Sequence, residues 1–290
     1  MDRAAALVDE RRSQICLGLD PDPAELSDSA ASGSYTGSPA ERAASAVSAH
    51  CRWLIELAGA SCIAVKPQLA CFERLGWPGW RALAEVIEAA REAGLLVIAD
   101  GKRGDVPVSA TAYGQAMVGS TDSPWGPVAG LGADAFTANP LLGADSIEPL
   151  VAAAEDAGAG IFCLVRTSNP GAGDVQDLPA PDLPVHEHLA HIVSGFSGRL
   201  AGSDGTLSGV GAVVGATAPE HIERLRLLMP VSVFLVPGVG AQGGRPEDLG
   251  PAFRPGRAGA IVAASRSIAG ADDPAGAAED LRQAVWEASG

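Results

Sequence analysis

The sequence predicts an α/β chain folded as a single-domain (β/α)8 (TIM) barrel, and three observations predict it. Eight short β-rich apolar runs recur along the chain, amphipathic stretches separate most of them, and charged or glycine-rich residues collect where the runs end. A length of 290 residues with 47% hydrophobic content suits one such domain, spanning 1–290.

Strands are expected at Ile15–Leu19, Ile63–Lys66, Leu95–Ala99, Ala135–Ala138, Ile161–Arg166, Gly211–Gly215, Val233–Val236 and Ala260–Ala264. Helices are expected at Glu41–Gly59, Gly79–Ala93, Ser146–Ala157, Val185–Leu200, Pro219–Met229 and Pro274–Ala288, with a short seventh connection near Arg245–Phe253. In the first of these, Ala43, Val47, Cys51, Leu54 and Ala58 recur at steps of three and four, the stripe a helix needs to pack on a sheet. The pattern alone also permits a doubly wound sheet. Two long loops follow strands: Ser27–Pro39 after the first and Gly171–Pro184 after the fifth. Each reads either as a surface insertion or as a segment that covers a substrate, and Gly171–Pro184 is the candidate closing loop.

Composition narrows the function classes. Twenty basic against 35 acidic residues give a formal charge of −15, which argues against a surface built for nucleic-acid phosphates or an anionic membrane, though not against one local cationic pocket. The run MDRAAALVDERRSQ is charged and lacks the apolar core of a signal peptide, and no later stretch has the length of a membrane span, so a cytoplasmic protein is expected. Cys16, Cys51, Cys62, Cys71 and Cys163 include no CxxC pair and read as reduced, mostly buried small residues. The five histidines, His50, His186, His188, His191 and His221, fall in expected helices or their approaches and read as structural or surface groups.

The third strand ends in ADGKRGDV, which gathers Asp100, Lys102 and Asp105 where an apolar run emerges. Asp100 and Lys102 are two apart and should share a strand face; Asp105 lies past the strand end and is free to turn elsewhere. A surface ion pair would explain the triplet alone. Lys66 at the end of the second strand and Asp20 at the end of the first tell against that, because charge at three successive strand ends is hard to explain as solvated decoration. The seventh strand runs into LVPGVGAQGG, whose glycines let backbone N–H groups approach an anion and whose Gln242 adds a donor. The eighth ends in AASRSI, placing Arg266 beside it, so a phosphate site is expected after strands seven and eight. Between the two lies RTSNPG, where Thr167, Ser168 and Asn169 offer neutral hydrogen-bonding groups suited to a heterocyclic base, or simply a polar turn.

Taken together, VKPQLACFER at 65–74, DGKRGDV at 100–106, ANPLLG at 138–143, RTSNPG at 166–171, VVGAT at 213–217 and PGVGAQGG at 237–244 resemble the orotidine 5′-phosphate decarboxylase family, its bacterial branch in particular. The resemblance implies an alternating charged array of Lys66, Asp100, Lys102 and Asp105, with Asp105 supplied to the neighbouring subunit of a homodimer. It implies that Asp20 and Lys66 contact the ribose, that Ser168 bonds the pyrimidine, and that Gln242 and Arg266 hold the phosphate. Ser109, Gly240 and Ser265 complete the expected substrate-binding set. The implied reaction is removal of carbon dioxide from orotidine 5′-monophosphate with Lys102 as proton donor, without metal or cofactor. Gly101, Pro107 and Leu141 depart from the family pattern but remove no charged group. Two other readings are a Mg²⁺-dependent sugar-phosphate decarboxylase of the same superfamily and a non-catalytic barrel that senses a nucleotide or sugar phosphate. Lys66 disfavours the first, since a metal would require a carboxylate there, and the whole charged array disfavours the second.

Overall fold

The computed structural model describes Met1–Gly290, and eight parallel strands in it close into a barrel. They are β1 (Ile15–Leu19), β2 (Ala64–Pro67), β3 (Leu96–Arg103), β4 (Ala135–Ala138), β5 (Gly160–Arg166), β6 (Ser208–Val214), β7 (Ser232–Pro237) and β8 (Ala260–Ala264). Each pairs with its neighbours in sequence, and β1 pairs with β8 to shut the ring. That closure excludes the doubly wound alternative.

Period-two alternation divides the strand residues between two apolar layers. Ile15, Leu17, Val65, Val97, Phe136, Ile161, Val210, Phe234 and Val262 face outward into a core of 55 buried residues shared with the helices. Cys16, Ala64, Ile98, Ala135, Phe162, Val213, Leu235 and Ala263 face inward and fill the barrel. The floor is shut by a helix, Asp2–Arg11, that composition did not single out; its Val8 joins the interior cluster and Met1, Ala4 and Leu7 pack against it. No helix is long and apolar enough to cross a membrane.

The expected helices appear within a few residues of their bounds: Pro39–Ala58, Trp77–Glu92, Ala144–Ala157, Val185–Phe196, Pro219–Leu228 and Pro274–Ala288. Ser38 starts the first of them through a capping box with Glu41, which ends the Ser27–Pro39 loop. The seventh connection is a 3-10 helix, Pro246–Phe253. Besides the floor helix and the short helices Asp28–Ala31 and Leu69–Glu73, two further elements were not expected. A helix at Pro107–Met117 follows β3; it buries only Ala110, Gly114 and Met117, so its sequence carries a weak apolar stripe. A short hairpin then pairs Ser120–Thr121 with Val128–Ala129.

Arg226 ties together the segments that carry β7 and β8. Its guanidinium is buried, donates to the carbonyls of Met229 (2.8 Å), Ser232 (2.7 Å), Ala252 (2.9 Å) and Gly259 (3.0 Å), and lies 3.7 Å from the Phe234 ring centroid. Burial pulls its pKa down to about 10, still charged at neutral pH. Arg226→Met removes all four donors, and we expect urea unfolding to show a loss of about 3 kcal/mol or more. A loss under about 1 kcal/mol would mean that the carbonyls find other donors.

Candidate active site

The inward positions that follow Ala64, Ile98 and Ala135 by two residues are Lys66, Asp100 and Thr137, so the pleat that fills the barrel also aims three polar groups at its upper mouth. Asp100 is the hub. Its Oδ2 accepts from Lys66 Nζ at 2.5 Å and Gln68 Nε2 at 3.2 Å, and its Oδ1 from Lys102 Nζ at 2.6 Å and Thr137 Oγ1 at 2.8 Å.

Lys102 reaches this hub by a route that simple alternation did not predict. Between Ala99 and Arg103 the pairing with β4 slips, so the chain bulges, and Lys102 adopts a left-handed conformation (φ 47°). Its backbone N–H leaves the ladder and donates to Thr137 Oγ1 at 2.8 Å, while the side chain meets Asp100. A non-glycine residue in this conformation costs roughly 1–2 kcal/mol, which the surrounding contacts must offset. Arg103, next in sequence, anchors the bulge through an ion pair with Glu73 and lies 5.5 Å from the Tyr113 ring centroid.

Burial would by itself raise the Asp100 pKa, but the Lys66 and Lys102 ammoniums and their hydrogen bonds outweigh it and pull it down to about 2. Burial would likewise push Lys66 down; the Asp100 and Asp20 carboxylates instead hold it above its ordinary value. Side-chain exposure separates the two lysines: Lys66 is 11% exposed and Lys102 42%, against 4% for Asp100. Lys66 is therefore the more deeply held cation, and Lys102 the more exposed of the two.

That cavity, of about 500 Å³, has the dimensions of a small-molecule site. Asp20, Lys66, Asp100, Lys102, Ser168, Gln242, Ser265 and Arg266 all line it, as do Thr167 and Asn169. Asp105, Ser109 and Gly240 do not line the cavity of their own chain. Asp105 lies past the bulge and accepts its neighbour Val106 N–H at 2.7 Å, and Ser109 is carried away on the first turn of the Pro107–Met117 helix. Gly240 shapes the rim: it holds φ +75°, and a Cβ there would stand 3.2 Å from Ser267 Cβ. Gln68, Thr137, Gln176 and Ser267 line the cavity without having been singled out from sequence. Two of them left a trace, since Gln68 stands two residues beyond Lys66 and Thr137 is a polar residue on an inward strand position.

Ser168 is pressed into place by glycines on the adjacent strand ends. A Cβ at Gly215 would lie 2.7 Å from Ser168 Cα, and one at Gly238 (φ +101°) would lie 3.0 Å from Ser168 Cβ. The charged array thus occupies β2–β4, the neutral turn β5, and Gln242 with Arg266 the ends of β7 and β8. No group of three or more His, Cys, Asp and Glu side chains is placed to hold a metal ion.

Residues 13–281 match the model of the orotidine 5′-phosphate decarboxylase / HUMPS family. The chain belongs to this family. An orotidine 5′-phosphate decarboxylase of Rhodopirellula baltica is 43% identical over 263 residues, covering 88% of this chain and 83% of the relative. Another, of Deinococcus radiodurans, is 42% identical over 258 residues, covering 89% and 84%. Among solved structures, the OMP decarboxylase of Leishmania donovani is similar with a TM-score of 0.75 and 33% identity, covering 99% of this chain and 98% of that one.

The two cations around Asp100 make its titration a direct test of the site. Its carboxyl carbon resonance should be unchanged across the neutral range and move only as the pH approaches about 2. The folded-state pKa lies below the ordinary 3.8, so the contribution to stability is complete above that value and is lost as the pH falls through about 2. A midpoint above 3.8 would mean that burial wins and the array is not assembled.

Proposed function

We propose that the chain converts orotidine 5′-monophosphate to uridine 5′-monophosphate and carbon dioxide, the decarboxylation step of pyrimidine biosynthesis, and does so without a metal or cofactor. The observation that carries this reading is one buried carboxylate, Asp100, shared by two cavity-lining lysines of which Lys102 is much the more exposed.

The chemistry calls for that arrangement. When the bond from the ring to the carboxylate breaks, its electron pair stays on a ring carbon that no adjacent carbonyl can relieve. A fixed cation beside that carbon stabilises the charge as it develops. Lys102 Nζ is that cation, and it then gives a proton to the carbon, replacing the bond lost to carbon dioxide. The neutral amine regains its proton through its exposed side. Asp100 orients Lys102, and Lys66 balances Asp100, which would otherwise cancel the charge that faces the substrate. Ser168 reads the pyrimidine, Asp20 and Lys66 the ribose, and Gln242, Ser265 and Arg266 the phosphate, whose remote binding holds the ring in place.

The mechanism is tested by following the ultraviolet absorbance of orotidine 5′-monophosphate with the purified protein in excess EDTA. Wild type should turn it over, and Lys102→Ala should retain less than about a tenth of that rate, a barrier increase above ~1.4 kcal/mol, while still binding the nucleotide. Absence of decay with wild type would remove the proposal. Loss of activity in EDTA restored by Mg²⁺ would favour the metal-dependent alternative.

The same reading makes the protein a cytoplasmic homodimer in which Asp105 completes the partner's array. In support, Asp105 is followed directly by Val106 and Val108, which are 56% and 85% exposed, and Leu141 and Leu142 are exposed beyond the adjacent β4. Lys102→Ala and Asp105→Ala should each be nearly inactive alone. After subunit exchange a mixed dimer has one site with both lesions and one intact, so about a quarter of wild-type activity should return. No recovery after proven exchange would return Asp105 to its own subunit's site.

A further inference from the structure

The loop from Gly171 to Pro184 is not a free flap. Its first turn is a 3-10 helix, Pro170–Asp174, and its middle folds back onto the end of β5. There Gln176 Oε1 accepts the backbone N–H of Thr167 at 2.8 Å, and Gln176 Nε2 donates to Thr167 Oγ1 at 3.0 Å. The Gln176 carbonyl in turn accepts from His186 N at 2.9 Å and from His186 Nδ1 at 2.8 Å. A carbonyl can only accept, so His186 carries its proton on Nδ1.

The next residue repeats the tie with charge. Asp177 accepts a bidentate pair from Arg166, Nε to Oδ1 at 2.8 Å and Nη2 to Oδ2 at 2.9 Å, and the same guanidinium donates to the Thr167 carbonyl at 2.6 Å. His186 Nδ1 lies 3.2 Å and His221 Nε2 3.9 Å from Asp177 Oδ1. Arg166 and His186 are largely buried here, 11% and 4% exposed. Thr167 is thus held at its N–H, hydroxyl and carbonyl, and Ser168, the residue after it, is held at its carbonyl by Thr217 Oγ1 at 3.0 Å. Such a density of ties around one turn exceeds what a surface loop needs, and Gln176 itself forms part of the cavity wall.

We propose that Gln176 and Asp177 are positioning residues for base recognition: Asp177, locked on Arg166 beside His186, holds Gln176 against Thr167, and Thr167 in turn presents the Ser168 hydroxyl to the pyrimidine edge. The inference rests on the nucleotide reading of the cavity given above and extends it to residues that touch the substrate only through others. Because the ties act on the turn after β5 and not on β7 or β8, they govern the base and leave the phosphate grip alone.

The two ends of the substrate can be probed apart. Binding of uridine 5′-monophosphate and of ribose 5-phosphate, which lacks the base, is measured by calorimetry for wild type, Gln176→Ala, Gln176→Glu, Asp177→Ala and Asp177→Asn, together with kcat, KM and Tm. Gln176→Ala and Asp177→Ala should weaken the nucleotide about tenfold or more while ribose 5-phosphate stays within about twofold. Gln176→Glu loses the donation to Thr167 Oγ1 but keeps an acceptor for the Thr167 N–H and for the Thr167 hydroxyl, whose oxygen lies 3.3 Å from Gln176 Oε1. It should recover most of the affinity, which it would not do if the Gln176 amide donated to the base itself. Should Asp177→Ala fail to fold, Asp177→Asn, which keeps one acceptor oxygen, and the Gln176 pair carry the test. Equal weakening of both ligands, or unchanged nucleotide affinity in a folded Gln176→Ala, overturns the proposal. A wild type that neither turns over the substrate nor prefers the nucleotide to ribose 5-phosphate would instead overturn the reading of the cavity.

Discussion

The Asp100 carboxylate, with four donors on its two oxygens, is the constraint on which the rest of the site depends. Two of those donors are ammoniums, so the cluster of Lys66, Asp100 and Lys102 carries a net positive charge inside a chain whose formal charge is −15. Burying such a group is costly, and an ion pair so placed contributes little to folding stability after its desolvation is counted. The barrel meets that cost structurally. Its closure brings the ends of β2, β3 and β4 side by side, and its apolar interior leaves the upper mouth as the only place where these side chains can gather.

The bulge in β3 follows from the same constraint. An unbroken strand would keep Lys102 N–H in the ladder with β4; the slip frees it for Thr137, which also donates to Asp100. One threonine therefore fixes both the backbone of the lysine and the carboxylate that orients it. Gly101 sits in the narrow part of this turn, where a Cβ would approach Leu69 Cδ2 at 3.0 Å and Arg103 Nε at 3.2 Å. The left-handed conformation of Lys102 thus sits within a closely packed turn, which is how a fold keeps a strained residue in place.

What could be read in the sequence follows physical lines. The strands and most helices were legible because apolar periodicity reports which face is buried, and the ends of β1, β2, β3 and β8 were legible because a charged residue closing an apolar run is conspicuous. Asp20, Lys66, Asp100, Lys102, Ser168, Gln242, Ser265 and Arg266 accordingly share one cavity. The helix Pro107–Met117 was missed because its apolar stripe is weak, and the route taken by Lys102 was missed because a bulge leaves no periodic mark. Gln176 was beyond reach for a different reason. Its partners are Thr167, nine positions earlier, and His186, ten positions later, and only a loop folding back on its own strand brings them together.

That contrast separates two kinds of site residue. Those that bring charge to the cavity wall, such as Lys102 and Arg266, stand at strand ends where their charge announces them. Those that tie down the neutral turn after β5, such as Gln176 on Thr167, have no such signature, because an uncharged hydrogen bond specifies through geometry and its supports can come from anywhere in the chain. A charged group tolerates some displacement, since Coulomb attraction falls off slowly with distance, whereas a hydrogen bond weakens steeply once bent or stretched. The neutral turn after β5 therefore needs more scaffolding than the charged array does. It is held by glycines at 215 and 238 on one side and by Gln176, Asp177 and Thr217 around the rest.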